Sequence, residues 1–267
     1  PGSAQLGFVA PVTALQVDGD RDQPAVRLSP RSIDPVGRAT TWFADALARE
    51  GGGDPVVGQR GVAPAGLVLA EVTSAPLETL IEVMLVDSDN SLAEVIAREV
   101  ALTQGQSSIG QAILGSTGLE TGILTGATLR DGSGLSGLSG MSGQSIVALL
   151  QLIESSEELG VIRESLPIAG ETGSLRNRFQ SVASGLQGQV FAKTGSIRGT
   201  RSLAGFLSAS DGNELIFSAV LSGNQVSNAS RDSIDGVLEG IFSCGENLAN
   251  WEAGRSEVIS GESAVGR

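Results

Sequence analysis

The amino-acid sequence predicts an α+β fold in which helices flank an antiparallel sheet. Segments 189–193, 202–209 and 214–221 are short, apolar and β-prone, with Asp211-Gly212 as a hairpin turn between the last two. Segments at 75–86, from 91, at 142–157 and at 230–242 repeat apolar residues at helical spacing. Strands grouped late in the chain, with helices before and after them, fit α+β rather than a doubly wound parallel sheet.

In order along the chain, residues 4–26 alternate loosely around Gly and Asp and read as short strands with turns, Leu15-Gln16-Val17 running into Asp18-Gly19-Asp20. Asp34-Pro35 reads as an N-cap followed by proline at the first helical position. The helix it starts carries Trp42, Phe43, Ala46 and Leu47 on one face and stops at Gly51-Gly52-Gly53, a connector continued by Asp54-Pro55. Short β stretches are expected at 56–57 and 67–72. The 75–86 helix presents Leu77, Leu80, Ile81, Met84 and Leu85, and the polar run 87–90 interrupts it. Ser91 and Glu94 form a Ser-x-x-Glu capping box for the next helix, whose buried face is Leu92, Val95, Ile96 and Val100. Gly and Ser dominate 126–143, and the following helix carries Ile146, Leu149, Leu150 and Ile153. A loop at 169–188 leads into the three strands, and the last helix precedes a polar tail. These shifts divide the chain into a β- and turn-rich segment 1–73, a core segment 74–245 and a tail 246–267.

Composition removes several chemistries. The 267 residues contain no histidine and one cysteine, Cys244, so no Ser-His-Asp triad, Cys-His pair or ordinary zinc site is available. No internal disulfide forms from one cysteine, and Cys244 reads as a small buried residue. No cofactor or metal is expected. Net charge is −13, from 17 basic and 30 acidic residues, which opposes nucleic-acid binding. No apolar run reaches the ~20 residues of a bilayer span, and the N-terminal Pro-Gly-Ser-Ala-Gln has neither part of a signal peptide. Lys193 is the only lysine.

Each candidate motif has an ordinary structural explanation when taken alone. Ser88-Asp89-Asn90 matches a polar inter-helix turn, though such a turn also presents a hydroxyl and a carboxamide to a cleft. Lys193-Thr194-Gly195-Ser196, at the end of Val190-Phe191-Ala192, matches an edge-strand lysine before a turn. Its ammonium then faces solvent or a cleft, and Gly195 lets a neighbour come close. Gly132, Gly134 and Gly137 have dinucleotide-loop spacing, but only Ala127-Thr128-Leu129 precedes them where such a loop needs a βαβ unit. Glu157-Glu158 reads as a solvated helix end, and Arg176 and Arg178 as surface residues or an anion site.

In combination the motifs are far more specific. Ser-Asp-Asn at 88–90 followed by Lys-Thr-Gly at 193–195 resembles two of the three signatures of penicillin-recognising serine acyl transferases. Asp131-Gly132-Ser133-Gly134-Leu135-Ser136, Ser174-Leu175-Arg176-Asn177-Arg178-Phe179, Ala192 to Ser196 and Ser202-Leu203-Ala204-Gly205-Phe206 extend the match. Together they resemble the D-alanyl-D-alanine carboxypeptidase/endopeptidase family, low-molecular-mass penicillin-binding proteins with inserted domains, over most of 11–224. A β-lactamase relative fits these segments less well.

The resemblance implies an incomplete β-lactamase/transpeptidase-like domain in 74–245, with 1–73 the closing part of an inserted β-rich domain. It implies peptidoglycan stem peptides as substrates, β-lactams as ligands, and a location outside the cytoplasmic membrane. Ser88 would relay a proton to the leaving D-alanine, and Asn90 would hold the acyl-side amide. Lys193 would supply positive potential for the terminal carboxylate. Thr194 and Ser196, either side of Gly195, would hydrogen-bond that carboxylate, and the Ser196 N–H would form half of an oxyanion hole.

The sequence departs from the family at the nucleophile. Ser-x-x-Lys needs a serine three residues before a lysine, and Lys193 is preceded there by Val190. The chain therefore reads as a C-terminal portion, inactive alone, whose partner is a missing N-terminal portion of the same protein. An exposed apolar face would then lead to a homodimer, to segment swapping or to dependence on the missing half. The alternative is a non-catalytic pseudo-enzyme or peptidoglycan-binding module.

Overall fold

A computed structural model describes residues 3–53, 58–62, 65–116, 122–180 and 185–245. The described helices are α1 (Pro35–Arg49), α2 (Leu77–Val86), α3 (Asn90–Thr103), α4 (Ile109–Leu114), α5 (Gly143–Ser155), α6 (Gly160–Glu164) and α7 (Ala229–Cys244). The strands are β1 (Val190–Ile197), β2 (Thr200–Ser208) and β3 (Glu214–Ser222), paired antiparallel in the order β1-β2-β3.

Strand parity sorts the sheet into two cores. Val190 and Ala192 of β1, with Leu203 and Leu207 of β2, face Leu175, Leu186, Ile234 and Leu238. Phe191 and Phe206 point the other way, against Leu150, Leu166, Ile146 and Ile153. The sheet is thus sandwiched between α7 and α5. Phe206 and Leu238 are essentially inaccessible, and burying side chains of that size contributes about 1.5–3 kcal/mol each.

Local sequence explains several helix starts. The Asp34 carboxylate accepts from the Gly37 N–H at 3.1 Å ahead of Pro35, and Ser142 caps α5 through the Ser145 N–H. Helix α4, six residues capped by Ser108, is too short to display a helical period in sequence.

Four expectations are corrected. No strand forms within the described residues of 1–73. Residues 4–26 instead make turns, a 3-10 turn at Asp18–Asp20 and one bridge between Arg21 and Arg31. Leu67, Val68, Leu69 and Val72 stay 73–96% exposed, because β preference needs a partner surface and the described chain offers none. The 56–57 stretch and the 246–267 tail lie outside the described residues. In α1, Phe43 and Leu47 are exposed, whereas Pro35 and Ala39 are buried, and Arg38 anchors the helix on Asp20 and Asp22 and stacks over Trp42. The Ser91–Glu94 capping box does not form. Asp89 caps α3 through the Ser91 and Leu92 N–H groups, which frees Ser91 and Glu94 for long-range partners. Cys244 is exposed at the end of α7.

Candidate active site

The turn between α2 and α3 has a specific backbone cause. The Asp87 N–H donates to Val83 O, the Asp89 N–H reaches back to Met84 O at 3.0 Å, and Ser88 between them has φ 55°. This is a Schellman closure, whose left-handed position normally holds glycine. A serine there costs about 1–2 kcal/mol of backbone strain. Its hydroxyl accepts from the Lys193 ammonium at 2.7 Å, linking residues 105 apart in sequence.

Residues 3–31 hold this turn from outside. Ser91 Oγ accepts from the Ala10 N–H at 3.0 Å and from Arg31 Nη1 at 2.8 Å. Arg21 pairs with Asp89, and Arg31, itself buried, also donates to the carbonyls of Gly7 and Gly19. Burial pulls the Arg31 guanidinium below its ordinary value, and Asp89 pulls it back up. Asn90 Nδ2 donates to Phe8 O at 3.0 Å, and among the described residues no donor engages its Oδ1.

β1 continues through the Lys-Thr-Gly segment to Ile197 and turns at 198–199, so Lys193 is inside a strand rather than at its end. It is also the sheet's edge. The Ala192 N–H donates outward to Pro167 O, and Val190 O accepts outward from the Ala169 N–H. Antiparallel parity therefore turns the Thr194 and Ser196 backbone groups to the same open side. Lys193 Nζ donates to Thr194 O at 2.9 Å, and Thr194 Oγ1 donates to Ser174 Oγ at 2.8 Å. At Gly195 a Cβ would collide with Oγ of Ser202, the residue opposite on β2, so a side-chain hydroxyl rather than a backbone occupies the space. Burial, aided by the Arg27 guanidinium, pushes the Lys193 pKa down to about 8. Arg27 is itself fixed by donating to Asp87 O at 3.0 Å.

All six sequence candidates, Ser88, Asn90, Lys193, Thr194, Gly195 and Ser196, line one cleft of about 890 Å3. Arg27, Ser133, Ser174, Arg198 and Arg201 line it too. The cleft can therefore offer cations to a carboxylate, hydroxyls for proton relay and an edge of backbone N–H donors. Arg27 carried no sequence signal, being 61 residues before Ser88. Ser174 belongs to the 174–179 segment, whose sequence does not mark which of its residues faces the cleft. Arg178 is instead structural, pairing with Asp235 of α7 and stacking over Phe179. Among the described residues, no group of His, Cys, Asp or Glu is placed to hold a metal ion. No described helix is long and apolar enough to cross a membrane.

Known proteins resemble this chain over most of its length. The chain is 34% identical over 258 residues to the carboxypeptidase DacB of Mycolicibacterium smegmatis, covering 92% of this chain and 54% of that protein. It is 34% identical over 254 residues to a carboxypeptidase of Mycobacterium tuberculosis, with the same two coverages. The chain thus spans about half the length of these relatives. A crystal structure of penicillin binding protein 4 from Haemophilus influenzae, in complex with a β-lactam, superposes with TM-score 0.67 at 25% identity. That superposition covers 83% of this chain and 53% of the other. The family profile for D-Ala-D-Ala carboxypeptidase 3 (S13) matches residues 7–240. With the profile spanning most of the sequence and the penicillin-recognising fold in place around the cleft, this chain belongs to the D-Ala-D-Ala carboxypeptidase 3 (S13) family.

Proposed function

We propose that the chain supplies two walls of the acyl-transfer site of a serine D-Ala-D-Ala carboxypeptidase/endopeptidase that acts on peptidoglycan stem peptides outside the cytoplasmic membrane. The observation that carries this reading is the Lys193–Ser88 contact at 2.7 Å, which joins both signature motifs at one cleft. The Lys193 ammonium, with Thr194 and Ser196 beside it, receives the substrate's terminal carboxylate. The Asn90 Oδ1 accepts from the acyl-side amide N–H. A serine oxygen, its proton passing to the lysine of its own motif, attacks the carbonyl carbon between the two D-alanines; the C–N bond then breaks, and the departing amine takes a proton relayed through Ser88. Water then cleaves the acyl-enzyme ester. Ser196 N–H, on the open edge of β1, faces the developing oxyanion as one of its donors.

The attacking serine and its lysine belong, on this reading, to a part of the protein outside these 267 residues, because the single lysine here has no serine three positions before it. Residues 74–245 then form the C-terminal part of the catalytic domain, and 1–73 close an inserted segment. The exposed apolar side chains at 67–72, and α2, an apolar helix with no fully buried residue, are surfaces that this further part would cover. β-Lactams acylate the same serine.

The test is acylation of the full-length protein by labelled penicillin. Wild type forms one covalent adduct, and Lys193→Ala slows its formation at least about a hundredfold, the scale of losing one electrostatic contact in acyl transfer, with an unchanged circular-dichroism spectrum. A wild-type protein that binds penicillin reversibly without an adduct would make it a non-catalytic binder and overturn the reading.

A further inference from the structure

We propose that Glu94 is a positioning residue, which clasps the loop 131–136 to α3 and so fixes the distance between the Ser88–Asn90 turn and a further wall of the cleft. The inference rests on the functional reading above. Glu94 lies one helical turn after Asn90, on the same side of α3, and is 8% exposed. Its Oε1 accepts three bonds from the loop: the Gly132 N–H and Ser133 N–H at 3.1 Å, and the Ser133 hydroxyl at 2.7 Å. Two successive backbone N–H groups aimed at one carboxylate oxygen form an anion nest, filled here by the protein's own side chain. Packing reinforces the clasp: a Cβ at Gly132 would stand 2.5 Å from Ala97 Cβ and 2.6 Å from Ala93 O. Only glycine lets the loop lie this close to the helix.

The loop is braced internally as well. Asp131 accepts from the Ser136 N–H at 2.7 Å and from the Ser139 hydroxyl at 3.0 Å. Ser133, Gly134 and Leu135 then face the cleft. One rigid helix therefore carries the proton-relay turn at its start and this second wall one turn later. The Ser133 hydroxyl is engaged within this clasp on both sides. Its proton is shared between Glu94 and Asp131, and its oxygen accepts from the Leu135 N–H.

A wall of this kind holds substrate in the ground state and the transition state alike, so its loss appears in KM more than in kcat. The test compares Glu94→Gln and Glu94→Ala in the full-length protein, using a D-Ala-D-Ala peptide and amide hydrogen exchange at 131–136. Glutamine keeps an oxygen for the three donors and stays within about threefold of wild type in KM. Alanine leaves the donors unpaired, raises KM about tenfold with a smaller change in kcat, and speeds Gly132 and Ser133 exchange by a similar factor. If Glu94→Ala does not fold, Ser133→Ala, which removes one of the three bonds, shows the same pattern to a smaller degree. Glutamine as damaging as alanine, or loop amides still protected in Glu94→Ala, would overturn the clasp. A wild type without peptidase activity overturns the functional reading instead, and the exchange measurement still decides the clasp.

Discussion

Replacing Ser88 by alanine and, separately, by glycine tests whether function holds a strained residue in the α2–α3 turn. Both variants lose the hydroxyl that accepts from Lys193 at 2.7 Å. A hydrogen bond to a charged group contributes about 1.5–3 kcal/mol, and the lower end applies because Lys193 keeps Thr194 O as a second acceptor. The variants differ in the backbone. At φ 55° alanine retains the left-handed penalty of about 1–2 kcal/mol, whereas glycine does not. Ser88→Ala should therefore lose about 1.5 kcal/mol, and Ser88→Gly should be more stable than Ser88→Ala by about 1 kcal/mol. The assay is urea unfolding, reading midpoints at constant slope. Penicillin acylation of the full-length protein should fall equally in both, by about 10²–10⁴, because neither can relay a proton. Alanine more stable than glycine, the order of an ordinary helical position, would refute the geometry. Unequal acylation losses would refute the relay.

The Lys193 ammonium gives a pH prediction. Its folded pKa of about 8 lies below the ordinary 10.5, so the unfolded chain binds the extra proton between those values. Stability should rise as pH climbs from about 8 to 10.5, by at most about 3 kcal/mol, and stay level in that window in Lys193→Met. Over the same rise the site loses its cation, so KM for a carboxylate-ended peptide should increase above about pH 8, and Arg27→Gln should move that limb upward. A KM flat to pH 10 would contradict the role given to Lys193. Gly195→Ala should cripple acylation by colliding with Ser202, and Ser202→Gly in the same protein should restore most of it. No rescue would mean that the space at Gly195 serves something other than that hydroxyl.

The sheet and the site were legible in sequence to different degrees, for physical reasons. Three strands show because both faces of the sheet are packed, so residues facing different cores, such as Phe191 and Ala192, form short continuous apolar runs bounded by turns. The Asp34 and Ser142 caps show because capping is local. Ser91 and Glu94 mislead because a local signal lost to tertiary partners, Ala10 and Arg31 for one and the 131–136 loop for the other. The β preference at 67–72 misleads because it describes a surface that needs a neighbour. Of the site, Ser88, Asn90 and the Lys193–Ser196 segment could be named from motif order alone. Arg27 could not, since its place beside Lys193 depends on how 3–31 folds over the α2–α3 turn.

The central claim is that these walls serve a nucleophile lying elsewhere in the protein, and locating the acylated serine tests it most directly. The full-length protein is labelled with penicillin, digested, and the modified peptide sequenced by mass spectrometry. The account predicts a single adduct on a serine three residues before a lysine, outside these 267 residues. An adduct within them, on Ser88 or on Ser133 in its glycine-rich loop, would contradict it.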